Sequence, residues 1–283
     1  MKFKVICIVA AVVCLAITGI AQAHLFPNGQ GNPYFTPAVP ADLIPTYDGD
    51  LSDWAWFPPA YTITPDWFTQ LGDWTAGEQV PKDDFDVIIY GPAWIPSQNM
   101  ITFAIRKVDD IFFTRSDNFQ DSWDEDVIQF AIDADHGGEP KISGEGEDAL
   151  NSQEYQQAFF SPKLGGGTGC YAPEEMQWAF QEPYTFWGMN PATVEGTNGT
   201  FDVEIQMKIW DHMDPAGEGA STEHQLVPEQ IIGFTIEIIE SEEGCSECPD
   251  VEFDAGNIAI GGEVLPDWFL MSEADTMPLI PTA

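Results

Sequence analysis

The chain has 283 residues, of which 9 are Lys or Arg and 47 are Asp or Glu, so its formal net charge is −38. A negative charge of this size repels nucleic acid and anionic membrane surfaces, and both are excluded as partners. Hydrophobic residues make up 44% of the chain and aromatic residues 13%, which is enough for a packed core and excludes a disordered protein.

Residues 1–23 have the pattern of a secretory signal peptide. Lys2 and Lys4 precede an apolar run from Val5 to Ile20, and the small-residue site at 21–23 follows it. No later stretch has the roughly 20 apolar residues that a membrane helix needs. We therefore expect a mature protein without a membrane span, either secreted, periplasmic or at the cell surface.

The remainder is predicted to be one all-β domain. Residues 24–45 are rich in Pro, Asn and Gly and are interpreted as an extended N-terminal arm, with the folded domain at 46–283. Apolar and polar residues alternate in Phe201–Ile209, which predicts a strand with one buried face. Further strands are predicted at Met100–Val108, Ile231–Ile239, Val87–Tyr90, Val127–Ile132 and Ile258–Ile260. Together they predict an antiparallel β-sandwich of the jelly-roll or immunoglobulin-like type.

Long loops rich in Trp, Gly and Asp are predicted between these strands. A rigid β scaffold with aromatic and acidic loops is typical of a binding protein. The predicted loops are Trp56–Pro81, Asp133–Ser152, Ser161–Gly199 and Asp211–Glu229.

Three cysteines remain after removal of the signal peptide: Cys170, Cys245 and Cys248. Three cysteines cannot all pair within one chain. We expect one structural disulfide, either the local Cys245–Cys248 bridge or a bridge from one of them to Cys170.

Six short motifs follow one another in a recognisable order. They are Tyr47–Trp54, with an Asp-Gly turn before a Trp; Asp83–Asp110; Trp123–Asp133, with Trp, acids and a strand; Gly199–Trp210; Ile232–Ile238; and Pro266–Trp268. This series, which covers Thr46 to Ile280, resembles the family 9 carbohydrate-binding modules, a group of DOMON-like β-sandwiches.

The resemblance implies a sugar held between two Trp rings, with calcium ions ordering the loops. By position, Trp123 corresponds to one ring and Trp268 is the candidate for the other. Gln129 stands where sugar-binding members have a Glu six residues after the first Trp, and the Arg expected around residues 154–160 is absent. The implied partner is a polysaccharide or oligosaccharide, and the implied role is non-catalytic, although such modules are often fused to glycoside hydrolases.

Calcium is also suggested by the spacing of acidic residues. Calcium prefers six to eight oxygen ligands, and Asp133 and Asp135 alternate in a Gly-containing loop directly after a strand. We expect acids near other strand ends to complete the same site: Asp48, Asp50, Asp109 and Asp110.

Other functions remain open. A haem-binding subunit resembling the ethylbenzene dehydrogenase type would use Met100 or Met207 as an axial ligand, but a Met on an apolar strand is more often part of the core. A surface or matrix protein would explain the acidity. A copper site at His24 with another His, or a glycosidase-type carboxylate pair, has no specific motif in the sequence.

Overall fold

The computed structural model describes residues 34–64, 85–119, 122, 125–136, 156–168, 174–190, 199–240, 251–254, 265 and 267–281. Two β-sheets pack face to face, which confirms the predicted all-β sandwich. In these ranges no helix has the length and apolarity required to cross a membrane.

Sheet 1 has the order β1-β13-β11-β4-β5-β6, and β12 also pairs with β11. Neighbouring strands are antiparallel except β1 and β13, which are parallel. The strands are β1 (Tyr34–Thr36), β4 (Ile128–Asp133), β5 (Gln156–Ser161), β6 (Gly165–Thr168), β11 (Ile231–Glu240), β12 (Val251–Asp254) and β13 (Asp267–Leu270).

Sheet 2 is antiparallel, with the order β2-β3-β8-β7. Its strands are β2 (Phe85–Ile95), β3 (Met100–Asp109), β7 (Thr185–Asn190) and β8 (Gly199–Met207), and a separate pair is formed by β9 (Trp210–His212) and β10 (Thr222–Glu223). A short α-helix spans Glu273–Thr276, and 3-10 helices span Leu51–Trp54, Pro59–Tyr61, Glu174–Phe180, Glu218–Ala220 and Met277–Leu279.

The core between the sheets is formed by the apolar side chains at every second position of β3, β4 and β8. Phe103 of β3 meets Phe130 of β4 edge to face, with ring centroids 4.9 Å apart. Val203 and Ile205 of β8 belong to the same cluster of buried residues. Each fully buried side chain of this kind contributes about 1.5–3 kcal/mol, so the predicted alternation supplies much of the energy that holds the sheets together.

The strand predictions at Met100–Val108, Val127–Ile132, Phe201–Ile209 and Ile231–Ile239 are confirmed within one or two residues, and the prediction at Val87–Tyr90 was too short. The predicted loop at Ser161–Gly199 was wrong, because it contains β6 and β7. Strand β6 was missed because Gly165–Thr168 shows little alternation of apolar and polar residues. The predicted strand at Ile258–Ile260 lies outside the described residues.

The outer face of sheet 2 is also buried, which corrects the expectation that β8 has one exposed face. Asp202, Glu204 and Gln206 alternate with its core residues and are nevertheless buried. Glu204 is covered by the segment 38–63, whose Leu51, Trp54 and neighbours form a second apolar cluster against Ala93, Ile95 and Ala104, whereas Asp202 pairs with Arg106 of β3 and Gln206 contacts Met100.

The predicted N-terminal arm is part of the fold from Tyr34 onward. β1 pairs with β13, and Ala38 forms an isolated bridge to Trp94 of β2. Ala38 and Val39 are buried. An apolar segment with backbone hydrogen bonds to both sheets cannot be a loose linker, although its Pro-rich composition resembles one.

The carboxylate of Glu204 connects the covering segment to sheet 2. Its Oε1 accepts a hydrogen bond from Trp54 Nε1 at 2.7 Å, and its Oε2 accepts from the backbone N–H groups of Asp48 (3.0 Å) and Gly49 (2.7 Å). Gly49 has φ +84°, and a side chain there would collide with the backbone of Met189. The Asp-Gly turn is therefore pressed onto β7 and fixed by a buried acid.

Burial raises the pKa of Glu204 to about 7, although the three donors favour its ionised form. An acid with a native pKa above its unfolded value binds a proton more tightly when folded. Its contribution to stability is therefore complete below about pH 4.5 and is lost as the pH rises towards 7.

We expect the Glu204→Gln variant to lack this part of the pH dependence. Between about pH 4.5 and pH 7 the free energy of unfolding of the wild type should fall relative to the variant, with a slope of at most about 1.4 kcal/mol per pH unit. Urea unfolding at several pH values measures this difference in the free energy of unfolding.

The control is Thr102→Val, which removes a hydroxyl bonded to Tyr47 on the same face. Its free energy of unfolding should vary with pH in parallel with the wild type. The same parallel behaviour in Glu204→Gln would contradict the raised pKa of Glu204.

Candidate functional site

The outer face of sheet 1 carries a row of buried polar side chains. Ile128, Phe130 and Ile132 of β4 face the core, so Gln129 points to the opposite side. Gln129 is opposite Glu237 of β11 in the strand register. The four members of this polar row are Gln129, Gln157, Thr235 and Glu237, all buried.

Two amides meet at the centre of the polar row. Gln157 Nε2 donates to Gln129 Oε1 at 3.3 Å. Gln157 Oε1 is buried and has no hydrogen-bond partner among the described residues. An unsatisfied buried acceptor costs about 1–3 kcal/mol, and a ligand hydroxyl that donates to this oxygen would recover that cost once the groups covering the row move aside, because Gln157 is only 1% exposed. The amides can both donate to and accept from sugar hydroxyls.

The two predicted stacking rings have different outcomes. Trp123 lies outside the described residues, and its role stays a prediction. Trp268 is on strand β13 rather than in a loop, is 3% exposed, and its Nε1 donates to the Phe234 carbonyl at 2.7 Å. Its ring packs against Tyr34 at 4.6 Å and edge-on to Phe234 at 5.6 Å. Trp268 is therefore a core residue in this structure, with little ring surface to offer a sugar.

The acids predicted as one metal site are not brought together. Asp133 ends β4 on its outer face, beside Gly233, and Asp135 is exposed two residues later. Asp109 shares Lys107 with Asp126, which lies two residues before β4, so the length of β4, roughly 16 Å, separates this group from Asp133. Asp110, which follows Asp109, is partly exposed and lies at the same distant end.

Asp48 and Asp50 belong to the covering segment on the opposite side of the sandwich. Asp48 Oδ1 accepts from the Asp50 backbone N–H at 2.9 Å, and Asp50 Oδ1 accepts from Ser52 N at 3.0 Å, which caps a 3-10 helix. These acids shape a turn. The part of the chain that the structure describes has no group of three or more His, Cys, Asp or Glu suited to a metal ion; calcium itself stays a prediction.

Asp109 is bound to a cation of the protein itself. Its Oδ2 lies 2.9 Å from Lys107 Nζ, which also contacts Asp126 and donates to the Ile239 carbonyl at 2.7 Å. Lys107 is completely buried. The two carboxylates raise its pKa against the effect of burial, and burial raises the pKa of Asp126 despite the ammonium. Lys107 thus takes the place that a metal ion would need beside Asp109.

Both candidate haem-ligating methionines are buried. Met207 lies in the main core, and Met100 is buried with its sulfur 2.6 Å from Gln206 Nε2, so both are packed as structural residues. Cys170, Cys245 and Cys248 lie outside the described residues, and their pairing stays a prediction.

Replacing Lys107 by Met should destabilise the protein by about 3–5 kcal/mol at pH 7, because it leaves two buried carboxylates without a cation. Chemical denaturation in the presence of a chelator measures the change. Lys163→Met is the matched control: Lys163 pairs with the exposed Asp117, and its loss should cost less than about 1 kcal/mol. Equal losses in the two variants would contradict the central position given to Lys107.

Comparisons with known proteins agree with the architecture. No known family model matches the sequence, and no curated protein matches it significantly. By structure, the chain is similar to a family 9 carbohydrate-binding module from Caldicellulosiruptor kristjanssonii in complex with glucose, with 9% identity, a TM-score of 0.50, and coverage of 84% of this chain and 95% of that one. The same kind of module in complex with cellotriose matches with 10% identity, a TM-score of 0.50, and coverage of 88% and 99%. The protein therefore has the fold of the family 9 carbohydrate-binding modules, as the order of its sequence motifs indicated.

Proposed function

We propose that this protein is a non-catalytic carbohydrate-binding module that binds uncharged sugars above the polar row of sheet 1. The observation that carries the proposal is the Gln129–Gln157 amide pair with its unsatisfied oxygen. Sugar hydroxyls both donate and accept hydrogen bonds, which is what two facing amides can match.

The structural neighbours support the ligand class. Both are described as modules in complex with glucose or cellotriose. Gln129 occupies the position at which the sequence resemblance puts a sugar-contacting Glu. A neutral amide in place of an acid keeps the hydrogen-bonding capacity and gives up the charge-assisted contact, so we expect weaker binding than a Glu would give.

Trp123 completes the proposed site. In the sequence it lies five residues before Ile128, the first residue of β4, and we expect it to lie beside the polar row. An indole ring packs well on the apolar C–H face of a pyranose, while the amides contact the hydroxyl rim. With Trp268 in the core, the second face of the sugar is either open or met by a residue other than Trp268.

Charge selects against acidic polysaccharides. The net charge of −38 gives the surface a negative potential that repels uronic-acid polymers. The proposal is therefore restricted to neutral sugars such as glucans and xylans. Export through residues 1–23 would bring the module to such polymers; calcium, if bound, has only Asp133 and Asp135 of the predicted ligands at this sheet.

Isothermal titration of the mature protein with glucose and cellotriose tests the site. We expect saturable binding that weakens about tenfold or more in Gln129→Leu and in Trp123→Ala, because each loses a contact worth about 1–2 kcal/mol. Gln206→Leu is the matched control, since Gln206 is also a buried amide on an outer face but belongs to sheet 2. Folded protein that binds no sugar in a wider neutral panel would overturn the proposal and favour a structural matrix role.

Ligand charge is tested separately. Binding of a soluble neutral glucan should be nearly independent of salt between about 0.05 and about 0.5 M, because the contacts are uncharged. Polygalacturonate should not bind at low salt. Preferential binding of the polyuronate would contradict the restriction to neutral sugars while leaving carbohydrate binding itself intact.

A further inference from the structure

The open edge of the sandwich between β6 and β7 holds a cavity of about 450 Å³. Its aromatic lining comes from Phe180, Phe186 and Trp187, and its polar lining includes Gln177, Gln181 and Glu182. A volume of this size lies within the range of small-molecule sites, which combine apolar walls with a few polar groups. The polar row on the outer face of sheet 1 contributes no residue to it.

Trp187 has the most exposed ring among the tryptophans that the structure describes. It is 39% exposed, although one side of the indole meets Phe160 edge to face at 6.1 Å. Gly165 of β6 lets the ring lie there: its φ is +81°, and a Cβ at that position would come within 3.0 Å of the indole. The backbone of β6 thus holds an exposed aromatic platform at the mouth of the sandwich.

Hydrogen bonds fix the backbone that carries the polar wall. Thr185 Oγ1 donates to the Ala179 carbonyl at 2.6 Å, which ties the 3-10 helix Glu174–Phe180 to β7. Thr185 N donates to the Gln181 carbonyl at 3.1 Å, which closes the turn between them. Gln177 Nε2 reaches the Gly166 carbonyl at 3.5 Å. Gln177, Gln181 and Glu182 therefore line the same cavity as the indole and are carried by a hydrogen-bonded backbone.

We propose that this cavity is a second binding subsite for a neutral pyranose unit. The indole would take the C–H face of the sugar, and Gln177, Gln181 and Glu182 would take its hydroxyls. The described lining has no cationic side chain and includes one carboxylate, which disfavours an anionic ligand. The inference rests on the proposed function in one respect, that both sites bind uncharged sugar.

The two sites are separate surfaces. Gln129 is opposite Phe159 of β5, which is opposite Gly167 of β6, so two strand spacings, roughly 10 Å, separate the polar row from the edge strand. Gln129 points away from the core, whereas Gly166, next to Gly167, faces the cavity. One sugar unit cannot contact both, so the protein would bind two.

Isothermal titration of the full mature chain with glucose distinguishes the sites. We expect two glucose molecules per wild-type chain. Binding weakened about tenfold or more at one site drops out of the stoichiometry measured at concentrations that saturate the other, so Trp187→Ala and Gln129→Leu should each bind one glucose, with the affinity of the remaining site unchanged. Phe35→Ala is the matched control, because Phe35 is an aromatic residue of β1 with 38% exposure. Trp187→Phe retains an aromatic ring and should still bind two glucose molecules, with several-fold weaker affinity at the cavity between β6 and β7. This variant separates loss of stacking from loss of folding in Trp187→Ala.

Each outcome assigns one site or rejects it. One glucose per chain, unchanged in Trp187→Ala and lost in Gln129→Leu, would overturn the second subsite and leave the proposed function standing. One glucose per chain that is lost only in Trp187→Ala would support the edge site and overturn the polar row. No binding of glucose or cellotriose by folded wild type would overturn both.

Discussion

Three hydrogen bonds to one buried carboxylate hold the covering segment against sheet 2. Trp54 and the Asp48–Gly49 turn donate to Glu204, which sits on a strand whose other face is the main core. The contact allows a two-sheet sandwich to bury a third layer, the apolar cluster around Trp54, Trp56 and Phe57. Without the acid, two backbone donors and an indole N–H would be buried without an acceptor, and the layer would lose its attachment.

Several of the acids in this very acidic chain have structural roles. Asp109 and Asp126 hold a buried ammonium, Asp50 caps a short helix, and Asp48 closes a turn. Lys107 shows how a single basic residue can neutralise acids that sequence spacing would assign to a metal. A carboxylate cluster predicts a cation, but whether that cation is calcium or an ammonium depends on which side chains the sheets bring together.

The sugar-binding proposal follows from two surfaces with the same chemical character. At the polar row, two facing amides on the outer face of sheet 1 can form hydrogen bonds with a ligand. In the cavity between β6 and β7, an exposed indole lies beside amide and carboxylate groups. Both suit a ligand with an apolar face and a hydroxyl rim, and neither suits an anion. Two weak sites on one rigid module would raise the effective affinity for a polymer that reaches both.

Alternation in the sequence determined the core strands, because a period of two puts Phe201, Val203 and Ile205 on one side whatever the surroundings. The order of motifs likewise indicated the family-like fold, and it made Gln129 a candidate site residue by position. The sequence could not decide what lies against an outward face: Glu204 and Gln129 occupy similar strand positions, yet one meets a covering segment and the other an amide. Pairing across long sequence separations placed Trp268 in the core, separated Asp109 from Asp133 and created the Trp187 cavity from two strands predicted as loop. Such contacts depend on which strands become neighbours, and local patterns carry little information about that choice.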